Sequence, residues 1–114
     1  MNEKRAELAD RIRSLLSDEP TCEQKRMFGS LAFLVYGRIV AAAWGEGDLL
    51  VRVDPERSAD LLLSDGVRQA EMGPRRKKMG LGWLDVPAEV VADDERLLFW
   101  IDAAREYAGL RGSA

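Results

Sequence analysis

Residues 26–53, RMFGSLAFLVYGRIVAAAWGEGDLLVRV, carry a denser β-strand signal than any other part of this sequence. Three runs rich in branched and aromatic residues are separated by short breaks that contain glycine, which is the pattern of strands joined by tight turns. Residues 31–44 predict an antiparallel hairpin, and residues 49–53 predict a further strand with one face toward the core. Because the first strand of the hairpin is apolar on both faces, we expect it to lie centrally or beneath a contact surface.

Helical patterns precede and follow this region. Residues 3–17 have apolar side chains at the spacing of an amphipathic helix. A second helix is predicted to begin at the aspartate–proline pair 54–55 and to end at Gly66. Its apolar face is expected to consist of Ala59, Leu62 and Leu63. A third helix begins at a run of three acidic residues, which complement the positive end of the helix dipole.

Two more strands, at 67–72 and 81–86, complete the predicted elements. The order is one helix, three or four strands, a second helix, two strands and a final helix. This order predicts an α+β fold in two layers, with an antiparallel sheet of about five or six strands and helices mainly on one face. The length predicts a single domain over residues 1–114, with a core of about 3–108 and a frayed tail at 109–114.

The composition argues against several classes of function. The net charge of −3 gives no overall attraction to nucleic acid or anionic lipid. No apolar run approaches the roughly 20 residues of a membrane helix, and the N-terminus is too polar for a signal peptide, so we expect a cytoplasmic protein. The chain has no histidine, which removes the usual general base, and its lone cysteine, Cys22, therefore lacks a histidine to activate it. No catalytic residue, metal site or cofactor is predicted, and an enzyme is the least favoured interpretation.

Six landmark residues stand out along the chain. They are Arg26, Met27, Phe28, Gly29, Gly37 and Trp83. Their order, with the strand that closes on the pair 54–55, resembles the N-terminal domain of the TfoX/Sxy family over nearly the whole chain. The resemblance implies a small α+β domain without a known enzymatic activity, whose longer members regulate natural competence. Those members carry a second domain of helix-hairpin-helix character, and we expect this chain to be a stand-alone N-terminal domain.

A basic run is the one compact charge feature that selects a partner. It consists of Arg75, Arg76, Lys77 and Lys78. Residues 68–78 carry five basic side chains and one acidic side chain, a balance of +4, whereas residues 85–106 carry two basic and seven acidic, a balance of −5. The run either binds nucleic acid phosphates or is a solvated loop. Such a loop either keeps a strand edge soluble or meets the acidic helix of a neighbouring molecule.

Two further arginines interrupt apolar strand patterns. Arg26 and Arg52 either form ion pairs with Glu23, Asp48 or Asp54, or line a small anion pocket, and the ion pairs are favoured.

Other candidate sites have simpler structural interpretations. The three tryptophans, Trp44, Trp83 and Trp100, suggest a stacking box for a ligand, but core or interface anchors are the commoner role of tryptophan. The acidic residues at 93–95 suggest a cation site, but helix-dipole complementarity already accounts for them.

The function favoured by these observations is a non-enzymatic regulatory module that acts through protein–protein contacts. Direct nucleic-acid binding through the basic run is the alternative. A homodimer is also predicted, because helices on one side of the sheet leave the opposite face, including Leu50, in need of water or a partner.

Overall fold

The computed structural model describes residues 3–19, 21–27, 29–64, 66–73 and 75–109. The helices are α1 Glu3–Leu15, α2 Ser58–Leu61, α3 Ala88–Val91 and α4 Asp94–Ala108, and a 3-10 turn, Pro55–Arg57, precedes α2. The strands are β1 Glu23–Met27, β2 Ser30–Val35, β3 Arg38–Trp44, β4 Asp48–Arg52, β5 Arg68–Gln69, β6 Glu71–Met72, β7 Lys77–Lys78 and β8 Trp83–Val86. The α+β class and the antiparallel sheet are confirmed.

Six strands form one sheet in the order β1-β2-β3-β4-β8-β5, and every neighbouring pair is antiparallel. The predicted hairpin is β2–β3, and its turn consists of Tyr36 and Gly37, with φ values of 52° and 77°. Two positive φ values in a two-residue turn are the signature of a type I′ turn, whose twist matches that of the flanking strands. The two central strands are β3 and β4, and the late strand β8 lies between β4 and the edge strand β5.

The helices pack against one face of the sheet. The buried core there contains residues of α1 and α4 together with alternate residues of the central strands, such as Phe33, Val51 and Leu84. The second face carries a smaller cluster that contains no helical residue. Its buried members are Ala32, Leu34, Ala42, Leu50 and Ala70, and its half-buried rim is Met27, Ile39, Trp44, Met79 and Trp83.

The second face corrects part of the sequence analysis. Leu50 was expected to need water or a partner, but only 5% of its surface is exposed, and Ala42 in the same cluster is 1% exposed. The large rim side chains cover small residues at the centre, so most of this face is buried within the chain itself. The stated reason for the predicted homodimer is therefore wrong, and the homodimer itself stays a prediction.

Several helical boundaries also differ from expectation. The start signal at Asp54 is confirmed, since its side chain accepts a hydrogen bond of 2.9 Å from the Glu56 N–H, but the helix is short and ends at Leu61. The apolar side chain that this helix buries in the core is Leu61, whereas Ala59 and Leu63 are exposed. The one-turn helix α3 was not predicted. The last helix is confirmed, with Asp93 as N-cap. Most of the predicted tail, residues 110–114, lies outside the described residues.

Candidate functional site

The basic run forms a small hairpin that the sequence pattern did not predict. Strand β7 pairs with β6 in a separate two-stranded sheet. Arg75, Arg76, Lys77 and Lys78 are all exposed, and Arg76 takes a positive φ of 53° at the turn. Within the described part of the chain, no carboxylate lies within 4.0 Å of any of these four cations. The hairpin, called the basic hairpin below (residues 71–73 and 75–78), is therefore free to meet an anionic surface.

Arg26 and Arg52 lie apart and have different surroundings. Arg26 is exposed on the edge strand β1. The Arg52 guanidinium carbon lies 5.3 Å from the centroid of the Trp83 ring and 5.6 Å from that of Tyr107. Among the described residues neither arginine has a carboxylate within 4.0 Å, so the favoured ion pairs are not formed.

The predicted acidic partners are engaged with backbone groups instead. Asp48 accepts a hydrogen bond of 2.9 Å from the Ala88 N–H and so caps the start of α3. Asp54 caps the 3-10 turn, as described above. The residues that do accompany Arg52 in a cavity are Arg38 and Tyr107. Sequence reasoning missed Arg38 and Tyr107 as neighbours of Arg52. For Arg38 a signal existed, because it directly follows the type I′ turn and so lies at the end of the sheet where β4 terminates.

The three tryptophans do not form a stacking box. Trp100 is 2% exposed in the main core, whereas Trp44 and Trp83 lie on the rim of the helix-free face. The Trp44 indole N–H donates a hydrogen bond of 3.2 Å to Asp85, which also pairs with Arg68 at 3.2 Å. These contacts give the tryptophans packing and anchoring roles.

The cysteine and the acidic run offer no reactive group. Burial raises the pKa of the Cys22 thiol, and the neighbouring carboxylate of Glu19 raises it further. At neutral pH the thiol is protonated, which makes it a poor nucleophile. Asp93 accepts a hydrogen bond of 3.1 Å from the Arg96 N–H, and Asp94 pairs with Arg11 at 2.7 Å. Across the described residues, no group of three or more acidic or cysteine side chains is placed to hold a metal ion.

A groove with a mixed polar and apolar lining lies between the turn after α2 and the outer side of α4. Its volume is about 390 Å³, and it is lined by Leu63, Ser64, Val90, Arg96, Phe99 and Trp100. Leu63 is 82% exposed and Phe99 is 48% exposed. The Phe99 ring meets the buried Trp100 ring edge-on, with centroids 5.2 Å apart. The groove was missed because the sequence pattern assigned Leu63 to the inner face of a longer helix.

The landmark residues occupy turns and strands of this fold. Met27 ends β1, Gly29 and Gly37 take positive φ values of 77° in hairpin turns, and Trp83 begins β8. Phe28 lies outside the described residues. No helix within the described ranges is long and apolar enough to cross a membrane.

Comparison with known proteins identifies the family. No curated protein matches the chain significantly. A family model described as the TfoX N-terminal domain matches residues 14–108 of the 114 in the sequence. This match extends from the last turn of α1 to the end of α4 and so includes the whole six-stranded sheet. The chain belongs to the TfoX N-terminal domain family.

Proposed function

We propose that this domain is a non-enzymatic cytoplasmic regulatory module that acts through protein–protein contacts. The observation that carries the proposal is the exposed groove beside Leu63 and Phe99. Exposed apolar side chains that gather around a concave surface mark an interaction site, whereas an isolated one such as Leu81 does not. Membership of a family whose longer members regulate competence supports the regulatory part of the proposal.

The partner that best fits the groove is a second copy of the chain. The helix α4 forms one wall of the groove and exposes acidic side chains. Glu95 has no cation within 4.0 Å among the described residues, whereas Asp94 and Glu106 already pair with Arg11 and Arg57. The basic hairpin supplies the opposite charge, and the half-buried Met72 and Met79 lie next to its cations. Methionine sulfur makes favourable contacts with aromatic rings, which suits a surface that contains Phe99. A twofold dimer buries both complementary contacts at once.

Light scattering at micromolar concentrations tests this proposal. The unmodified protein is expected to have the mass of a dimer, and Leu63→Ser is expected to shift it toward the mass of a monomer. The matched control is Leu81→Ser, because Leu81 is 65% exposed but does not line the groove. A monomer mass for the unmodified protein, or equal effects of the two substitutions, would contradict the assignment of the groove.

Nucleic-acid binding through the basic hairpin is the second candidate. It is favoured by four exposed cations that have no carboxylate within 4.0 Å among the described residues, since such groups are available to phosphates. Binding of a labelled duplex is expected to weaken steeply with salt and to fail when Arg75, Arg76, Lys77 and Lys78 are all changed to alanine. Equal binding by this variant at low salt would remove the candidate. Leu63→Ser separates self-association from nucleic-acid binding. It is expected to lower the mass measured by light scattering and to leave the affinity for the duplex unchanged.

A further inference from the structure

A small cavity at one end of the sheet is lined by two arginines. It lies where β3 begins, where β4 ends and where the last turn of α4 packs against them. The volume is about 100 Å³, and the lining residues are Arg38, Ile39, Arg52, Ala104, Tyr107 and Ala108. A water molecule occupies about 30 Å³ of liquid, so the cavity accommodates a group the size of about three waters. The cavity shares no lining residue with the groove beside Leu63 and Phe99.

Two aromatic rings lie beside the Arg52 guanidinium and take none of its N–H hydrogen bonds. The guanidinium lies within 6 Å of the centroids of both Trp83 and Tyr107, which is the range of cation–π attraction. Attraction to a ring face uses no N–H donor, so the donors of Arg52 stay available to a ligand. No hydrogen bond joins the guanidinium of Arg38 or Arg52 to another described residue.

The nearby negative groups do not neutralise the two arginines. Glu106, in the last turn of α4, pairs with Arg57 at 3.3 Å. The C-terminus of a helix carries the equivalent of about half a negative charge. Two guanidinium groups together carry two full positive charges, because arginine stays protonated in proteins. The positive charge therefore dominates the cavity, which favours an anion.

We propose that Arg38 and Arg52 form a binding site for a small oxyanion, with the chemistry shared by phosphate and carboxylate groups. The fork of Arg52 matches the two oxygens of such a group, and Arg38 supplies a second cation from the neighbouring strand. Tyr107 and Trp83 act as positioning residues that orient the Arg52 plane. The size of the cavity limits the bound part of a ligand to its anionic head. This ligand site goes beyond the proposed protein–protein contacts and does not depend on them.

Titration of the protein with inorganic phosphate and, separately, with acetate tests the proposal. Shifts in ¹H–¹⁵N spectra are followed at constant ionic strength, with chloride as the reference salt. We expect saturable shifts at Arg38, Ile39, Arg52 and Tyr107 with phosphate, acetate or both. Saturation by one anion alone identifies the class of ligand. Shifts that do not saturate with either anion, or that occur elsewhere, would overturn the proposal.

Three substitutions sharpen the test. Arg52→Gln and Arg38→Gln are each expected to weaken binding at least tenfold, and Arg52→Lys is expected to weaken it severalfold because lysine keeps the charge but loses the planar fork. Arg26→Gln is the matched control, since Arg26 is an exposed arginine on a strand that does not line the cavity. If Arg26→Gln weakens binding as much as the two cavity variants, attraction to the overall charge explains the binding and the site is refuted. Dispersion of the spectra shows that each variant is folded, and the two independent cavity variants keep the test decisive if one of them fails to fold.

Discussion

Gly82 lies directly against the backbone of Val53. The Val53 N–H donates a hydrogen bond of 2.7 Å to the Gly82 carbonyl oxygen. A Cβ atom at position 82 would lie 2.6 Å from the Val53 carbonyl oxygen, and Gly82 has a φ of 94°. Glycine is thus required both by the backbone conformation and by the close approach. The contact fixes the start of β8, where the next residue, Trp83, lies beneath the Arg52 guanidinium.

The substitution Gly82→Ala is expected to lower the free energy of unfolding by about 2–4 kcal/mol, because strain and a backbone clash act together. Gly37→Ala is the matched control. Its φ of 77° is also unfavourable for alanine, but no atom lies within 4 Å of the added carbon. The control is expected to cost about 1–2 kcal/mol. Urea denaturation measures both values, and equal losses would show that the contact with Val53 contributes nothing beyond the backbone strain.

A second prediction concerns Arg105, which joins the final helix to the end of the first. Its guanidinium lies 3.7 Å from Glu19 and donates a hydrogen bond of 3.3 Å to the Leu15 carbonyl oxygen. The side chains of Arg105 and Glu19 are only 16% and 14% exposed. Arg105→Met is therefore expected to destabilise the fold by about 2–4 kcal/mol, since it leaves Glu19 largely buried without its partner.

The control for this prediction is the exposed ion pair between Arg57 and Glu106, whose side chains are 45% and 70% exposed. Arg57→Met is expected to change the stability by less than about 1 kcal/mol. Thermal and urea unfolding of both variants provide the comparison. If Arg57→Met costs as much as Arg105→Met, burial is not the reason that the Arg105 contacts stabilise the fold.

The third prediction is a pH dependence at Cys22. Burial, helped by the carboxylate of Glu19, raises the pKa of this thiol above its value in the unfolded chain. Burial of the protonated Cys22 thiol therefore contributes fully to the stability of the fold below the pKa of the unfolded thiol, about 8.5. This contribution is lost as the pH rises through the pKa of the folded thiol. The rate of alkylation by iodoacetamide, measured against pH, is expected to have a higher midpoint in the folded protein than in denaturant. A midpoint at or below the value in denaturant would contradict the raised pKa of the thiol in the folded protein.

The sequence predicted those parts of the fold that depend on neighbouring residues. The hairpin β2–β3 followed from the break at Gly37, although the turn is Tyr36–Gly37 and not Gly37–Arg38 as the pattern predicted. The start of α4 followed from the acidic run that begins at Asp93, because this signal is also local. The one-turn helix α3 was missed, since four residues contain too few positions to show a helical period. The basic hairpin was missed because two-residue strands carry no alternation.

The functional features that were missed depend on contacts between distant parts of the chain. Arg52 was predicted to form ion pairs or to line an anion pocket, but the two rings that lie beside it come from β8 and α4. Nothing near Arg52 in the sequence indicates that Trp83 and Tyr107 lie beside it. The burial of Leu50 was missed for the same reason, because the rim residues that cover it come from three different strands and a loop.

The most direct test of the proposed interaction module is a dilution series of ¹H–¹⁵N spectra, from high to low micromolar protein. We expect concentration-dependent shifts at the groove residues Leu63, Ser64 and Phe99 and at the basic hairpin, and we expect Leu63→Ser to abolish both sets together. Spectra that superimpose at all concentrations would contradict self-association. Shifts confined to the edge strand β1 would show that the chain associates through its sheet edge and not through the groove.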